Sequence, residues 1–306
     1  MFKGRLLLLG FLTVCKTPGY TSHDVVQYLR KNYQVKKVGH LGTLDPGAVG
    51  VLPLALGKAT RFSQYILSQD KKYRFELTLG EATDTLDAQG KTIEKDEVQN
   101  THIENLKNKY QELIGNINQV PPMYSAIKQK GKKLYELARE GKEVERTPRQ
   151  VTIHSLNLVD IYEHQGKHRF LFDVHCSKGT YIRTLAEDLA KLSGTVGYMS
   201  FLIRTATGIF NLDDAIFPQE LPEQKTDLGI HLFPVDYPLS DIPSLVLKES
   251  QQLKRFKNGN FVNTAVIAES GELYRIYEED SSGDNLFLGL GKITSSNTLK
   301  PEKIIA

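Results

Sequence analysis

Gly39-His40-Leu41-Gly42-Thr43-Leu44-Asp45-Pro46-Gly47-Ala48-Val49-Gly50-Val51-Leu52-Pro53-Leu54-Ala55-Leu56-Gly57 is the most informative part of this chain. Its five glycines and two prolines rule out a long regular helix. The glycines allow backbone to approach a ligand closely, because no Cβ intervenes. Asp45-Pro46 is turn chemistry, an acceptor side chain followed by a fixed φ. Taken alone, the pattern makes Asp45 an ordinary turn residue, since turn aspartates far outnumber catalytic ones.

Periodic segments lie on both sides. Upstream, Thr21-Ser22-His23-Asp24 places hydroxyls at a helix cap and an acid in the first turn, with Val25, Val26 and Leu29 on one face. Downstream, residues 72–79 alternate: Tyr73, Phe75, Leu77 and Leu79 on one face, Lys72, Arg74, Glu76 and Thr78 on the other, which is a strand with one buried side. Thr101-His102-Ile103-Glu104 has capping-box spacing and predicts a helix with Ile103, Leu106, Tyr110, Leu113 and Ile114 on one stripe, closed by Gly115. Val151 to Val159 and Phe170 to Cys176 read as strands, and Lys178-Gly179-Thr180 turns the chain into a helix carrying Ile182, Leu185, Leu189 and Leu192, ended by Gly194. Prolines 218, 222, 234, 238 and 243 mark a linker-like region, and short strand-like runs separated by glycine follow it. Strands and helices mix without a regular βαβ rhythm, so the fold class is α+β.

The 306 residues suffice for one large core and a small second unit. With 40% hydrophobic and 25% charged residues, the composition is that of a soluble globular protein. No run of about 18 apolar residues is present, so no membrane span is expected. The start, Met1 to Leu12, has a faint likeness to a signal peptide, but Gly10 breaks it and Cys15-Lys16-Thr17 follows without a small-x-small cleavage site, so a buried first strand is expected. Cys15 and Cys176 form neither a C-x-x-C pair nor a disulfide framework, which points away from a zinc cage and toward the cytoplasm. Charge is uneven. Residues 1–70 carry nine Lys/Arg and three Asp/Glu, residues 121–149 eight and four, and residues 210–306 nine and fifteen. Two basic blocks before an acidic tail suit an anionic partner, although a mixed solvated surface fits the charge equally well.

Three short motifs fail on inspection. Gly57-Lys58-Ala59-Thr60 lacks the spacing and adjacent hydroxyl of a phosphate-binding loop. His102-Ile103-Glu104 has no following Cys-x-x-Cys to hold a deaminase zinc. Ser125-Ala126-Ile127-Lys128 matches the Ser-x-x-Lys of penicillin-recognising enzymes, but their companion motifs are absent.

The segment Gly39 to Gly57, with Asp45 at its centre, resembles the motif of the TruB family of pseudouridine synthases. So do Lys72-Tyr73-Arg74 with Leu79-Gly80-Glu81-Ala82-Thr83-Asp84, Val120-Pro121-Pro122-Met123-Tyr124-Ser125 with the basic run to Arg139, and Cys176-Ser177-Lys178-Gly179-Thr180-Tyr181-Ile182-Arg183. Long ordered matches over the first 210 residues or so are far more specific than one short pattern. The chain departs from the family pattern at Cys15-Lys16-Thr17 (usually Asp-Lys-Pro), at Leu41 and at Ile203-Arg204 (commonly Arg-Arg).

The resemblance implies a mixed, largely antiparallel sheet in a catalytic domain over 1–243, a basic thumb over about 121–149, and a small PUA-like RNA-binding domain over 244–306. It implies conversion of uridine 55 in the tRNA T-loop to pseudouridine, by a monomer without cofactor, metal, membrane or protein partner. Asp45 would be the nucleophile and Arg183 its ion-pair partner. Tyr73 would stack on the uracil, and Tyr181 would contact the bound nucleotide. Leu202 would wall the pocket, and His40 would fill the space left by the flipped base. Lys128, Lys130, Lys132, Lys133 and Arg139 would grip the RNA. The rival readings are a non-catalytic RNA-binding protein and an acyl-transfer enzyme built on Ser125 and Lys128.

Overall fold

The computed structural model describes residues 8–125, 127–129, 131–264, 271–280, 283–294 and 298–305. A nine-stranded sheet forms the frame. Its main path runs Gly10–Lys16, Val49–Leu56, Gly197–Thr207, Lys71–Leu79, Lys167–Cys176, Arg149–His164 and Gly115–Gln119. Val38–His40 adds to Val49–Leu56, and Phe210–Asn211 adds to Gly197–Thr207. Only the Val49–Leu56 and Gly197–Thr207 pair is parallel; the others are antiparallel. The sheet is thus mixed and largely antiparallel, as α+β patterning implies.

Gly10–Lys16 and Val49–Leu56 read as nearly unbroken apolar runs because both of their faces are covered. On one face, Phe75, Leu77, Phe170 and Phe172 meet Leu185 and Leu189 of the helix Ile182–Ser193 and Val25, Val26 and Leu29 of the helix Ser22–Tyr33. On the other face, Phe11, Val51, Ala55, Phe62 and Phe210 pack with Tyr277, Phe287 and Leu290. Those last three belong to a second, five-stranded sheet ordered Ser244–Leu247, Leu273–Glu279, Asn285–Ile293, Thr298–Ile304 and Val262–Asn263. The two sheets share this apolar layer, with the Phe62 and Phe287 rings 5.7 Å apart.

Several local expectations hold and others shift. Thr21 caps the helix Ser22–Tyr33 in a full capping box with Asp24. Gly194, at φ +95°, ends Ile182–Ser193. The helix near residue 101 begins earlier than its hydroxyl suggested: Gln99, paired reciprocally with His102, caps Asn100–Lys109. A 3₁₀ turn, Tyr110–Leu113, follows, so Ile114 leaves the stripe and lies exposed, and Gly115 opens a strand. In Lys71–Leu79, Lys72 and Arg74 face solvent as alternation requires. Glu76 and Thr78 are buried instead, because Arg169, Tyr162 and Ser200 cover Glu76 with hydrogen bonds, and Ser200 also accepts from Thr78.

Residues 121–149 form a small basic lobe. A hairpin of Lys128–Gln129 against Lys132–Lys133 leads into the helix Leu134–Arg139, and Arg146 Nη1 donates to Pro121 O at 3.0 Å, tying the two ends of the lobe together. Lys130 lies outside the described residues, as do the side chains of Lys128 and Lys133. Among the described residues, no helix is long and apolar enough to cross a membrane.

Candidate active site

Asp45 sits in the loop joining Val38–His40 to Val49–Leu56. The turn predicted from Asp45-Pro46 is present, with Ala48 N donating to Asp45 O at 3.0 Å. Two buried cations hold this loop by its carbonyls. Lys16 is completely buried and donates to Pro46 O (3.2 Å), Tyr20 O (2.8 Å) and Thr17 O (3.0 Å). Arg204, 1% exposed, donates to Gly42 O (3.0 Å), Thr43 O (3.4 Å) and Val51 O (2.8 Å). Ser22 Oγ adds a third tie, accepting from Leu44 N at 2.9 Å. A carbonyl is a weaker partner than a carboxylate, so burial dominates at Lys16 and lowers its pKa to about 8, with the charge of Asp45 opposing the shift.

Arg183 projects from the first turn of Ile182–Ser193 and is 5% exposed. Its Nε lies 3.0 Å from Asp45 Oδ2. Its remaining nitrogens donate to Thr85 O (3.2 Å) and Tyr124 O (2.8 Å), and Asp87 Oδ2 lies 3.8 Å from Nη1. The guanidinium is therefore fixed from three sides before it meets Asp45. Asp45 keeps about a third of its side chain open to solvent. Burial raises its carboxyl above the ordinary aspartate range, Arg183 pulls it back down, and Asp87 pushes it up. Because the guanidinium bridges Asp45 and Asp87, these two carboxylates do not converge on a cation position.

Of the other expected residues, Tyr73 lies near enough for the Asp45 charge to act on its phenol. Tyr73 is half-buried in Lys71–Leu79, opposite Arg204 in the neighbouring strand. Burial raises its phenol, which Arg204 opposes, so Tyr73 is protonated at neutral pH. Leu202 is buried in the core against which Tyr73 packs. His40 ends its strand with a buried Nδ1 that has no hydrogen-bond partner among the described residues. Burial, then the Arg204 charge, lowers its pKa and keeps it neutral. Tyr181 stands just before its helix, held by Gln119 through bonds of 2.9 and 3.3 Å, with Arg149 5.9 Å from the ring centre. Among the described residues, none of its hydrogen bonds or ring contacts reaches Asp45. In the basic lobe, Lys132 and Arg139 are exposed, and Lys132 pairs with Glu140 at 3.3 Å. Ser125 is buried, and its hydroxyl has no partner among the described residues, which do not include the Lys128 side chain.

Sequence reasoning missed Lys16, Arg204 and Asp87. Lys16 had one signal, a lone cation ending an apolar strand, while the others become visible only when strands and loops meet. Leu41, which departs from the family pattern, is fully buried in the second core cluster, and that explains its apolar character.

Two family models match the chain: the TruB family pseudouridylate synthase N-terminal domain over residues 30–182, and the pseudouridine synthase II TruB C-terminal region over 243–305. A protein of Caldanaerobacter subterraneus subsp. tengcongensis named tRNA pseudouridine synthase B is 43% identical over 295 residues, covering 96% of this chain and 98% of the relative. One of the same name from Alkaliphilus oremlandii is 49% identical over 261 residues, covering 85% of each. A chain from a solved H/ACA RNP bound to a substrate RNA containing 2'-deoxyuridine shares the fold, with a TM-score of 0.70 at 24% identity, covering 98% of this chain and 86% of that one. The chain belongs to the TruB family of pseudouridine synthases.

Proposed function

We propose that this enzyme converts uridine 55 in the T-loop of tRNA to pseudouridine, with Asp45 as the nucleophilic carboxylate. The relatives named tRNA pseudouridine synthase B support tRNA as the substrate. The observation that carries the chemistry is the 3.0 Å pair between Asp45 and a guanidinium already anchored on Thr85 and Tyr124. A stacked base cannot be rotated, so the nucleotide first flips out of the loop. Asp45, kept ionised by Arg183, supports cleavage of the C1′–N1 bond as the uracil departs with the bonding pair. The uracil turns, C5 bonds to C1′, the C5 proton is lost and N1 takes up a proton, so the product is an isomer and no redox carrier is needed. Tyr73 stacks on the base and Leu202 walls the pocket. His40 occupies the vacated stack position, and Tyr181 contacts the nucleotide.

Residues 1–243 form the catalytic unit in this reading and 244–306 a PUA-like RNA-binding unit, in a cytoplasmic monomer. Lys128, Lys130, Lys132, Lys133 and Arg139 close over T-arm phosphates, which positions the RNA without reading its sequence. Loop shape and flipped bases then supply specificity. The test is single-turnover conversion of a T-arm stem-loop by wild type and by Asp45→Ala. We expect conversion by wild type, no conversion by the variant, and binding retained by both. Conversion by Asp45→Ala refutes the nucleophile assignment, and absence of conversion by wild type favours a non-catalytic RNA binder.

A further inference from the structure

Asp70, His154 and His175 meet where three neighbouring strands run side by side, on the face of the large sheet turned away from Tyr73. Asp70 immediately precedes Lys71–Leu79, His175 lies in Lys167–Cys176, and His154 lies in Arg149–His164. In the register between the first two strands, Tyr73 stands opposite Val174 and Lys72 opposite His175, so His175 shares the outer face with Lys72. His154 would follow the ordinary alternation of its strand, but the register slips there: Ile153 pairs with Cys176 and Ser155 with His175. Burial records the same slip, with Val151 and Ile153 inside and Leu156 as the next buried residue. A β-bulge of this kind re-aims a side chain, and here it stands beside His175, the ring centres 4.7 Å apart.

Both imidazoles converge on one carboxylate oxygen. His154 Nε2 lies 3.1 Å and His175 Nε2 3.7 Å from Asp70 Oδ2, and the ligating atoms of all three residues lie within 4.8 Å of one another. A single ion pair needs only one imidazole, and two protonated rings at this spacing would repel each other. A metal ion satisfies all three groups at once. Ligand bonds of about 2.0–2.2 Å in a tetrahedron place neighbouring ligand atoms roughly 3.3 Å apart, between the two distances found here. The backbone that presents the carboxylate is held in place. Lys71 Nζ donates to Leu67 O (3.0 Å) and Gln69 O (2.6 Å), bracing the turn that presents Asp70, and Gly208 N donates to Asp70 O at 2.9 Å. All three side chains remain between a third and a half exposed, which leaves a path for an ion and room for water to complete its coordination.

We propose that Asp70, His154 and His175 form a binding site for one divalent transition-metal ion of borderline softness, the class to which zinc belongs. The ion clamps three adjacent strands from the outer face. Asp45 and Arg183 lie on the other side of the sheet with the helix Ile182–Ser193, so the ion supports the framework and takes no part in the chemistry.

The experiment uses full-length protein stripped of metal. Zinc is titrated by calorimetry and cobalt by visible absorption, at about pH 7.5, where free imidazole is neutral. We expect one ion per chain and a thermal midpoint that rises with zinc. In His154→Ala and His175→Ala we expect binding weaker by at least roughly tenfold and the zinc-dependent rise to be lost, while pseudouridine formation is unchanged. No binding by wild type overturns the proposal, as does binding of undiminished affinity in both variants.

Discussion

At the residue scale, Asp45 shows that a turn assignment does not compete with the proposed catalytic one. Its backbone accepts the bond that closes the turn, and its side chain is left free to pair with Arg183. The surrounding charges set a pH dependence. In the proposed reaction the ionised carboxylate is the working form, and burial raises its pKa. Activity is therefore expected to fall with acid at a pH above the usual aspartate value of about 3.9. Removing the guanidinium in Arg183→Gln takes away a group that favours the charged form, so the acid limb moves further up. Asp87→Asn removes a like charge, so the limb moves down. Single-turnover rates against pH check both shifts, and equal limbs in all three proteins would exclude this electrostatic coupling.

At the element scale, the Asp45 loop depends on how closely its following strand approaches its neighbour. Gly50 has φ +103°, and a Cβ there would meet Arg204 O at 2.3 Å and Ile203 Cγ1 at 2.9 Å. Gly50 stands opposite Arg204 in the one parallel pairing of the sheet, and Arg204 in turn braces Gly42 and Thr43. Gly50→Ala is expected to destabilise the protein by about 2–4 kcal/mol, from a forbidden φ together with displaced backbone. Gly19→Ala, at φ +85° with no neighbouring atom within 4 Å, isolates the backbone contribution at about 1–2 kcal/mol. Urea unfolding of both variants measures the difference, and equal losses would mean that close packing at Gly50 adds nothing. The helix entered through Gln99 makes a related point. Capping is decided by which groups meet the free N–H groups: Gln99 N donates to His102 Nδ1 at 3.2 Å and His102 N to Gln99 O at 3.0 Å, so the helix starts upstream of Thr101.

At the scale of the whole molecule, charge was legible as blocks but not as geometry. The basic segment 121–149 folds into a lobe in which Lys132 is partly neutralised by Glu140, while Arg139 remains exposed. An exposed pair of this kind contributes little and yields readily to a phosphate. For T-arm binding, Lys132→Gln and Arg139→Gln are each expected to weaken affinity and to reduce the slope of log K against log salt by about 0.7–0.9. Fluorescence titrations across a salt series test this, and an unchanged slope would remove these residues from the phosphate contacts. The acidic C-terminal part joins the large sheet through buried aromatics, Phe62 and Phe287 among them. Such a layer is invisible to periodicity, because each ring looks like a core residue of its own element.

Local physics thus sufficed for the class of fold, most strand and helix positions and the turn at Asp45, since caps, alternation and glycine-rich turns act over a few neighbouring residues, whereas the candidate pair of Asp45 with Arg183 came from the resemblance to the family. Only the tertiary structure decided that Lys16 and Arg204 grip the Asp45 loop, that Asp87 shares the guanidinium, and that Asp70 meets two histidines twenty-one residues apart in sequence. Those groups come from strands distant in the chain. What brings them together is sheet register and one bulge, which are set by packing across the whole sheet and leave no pattern in any single segment.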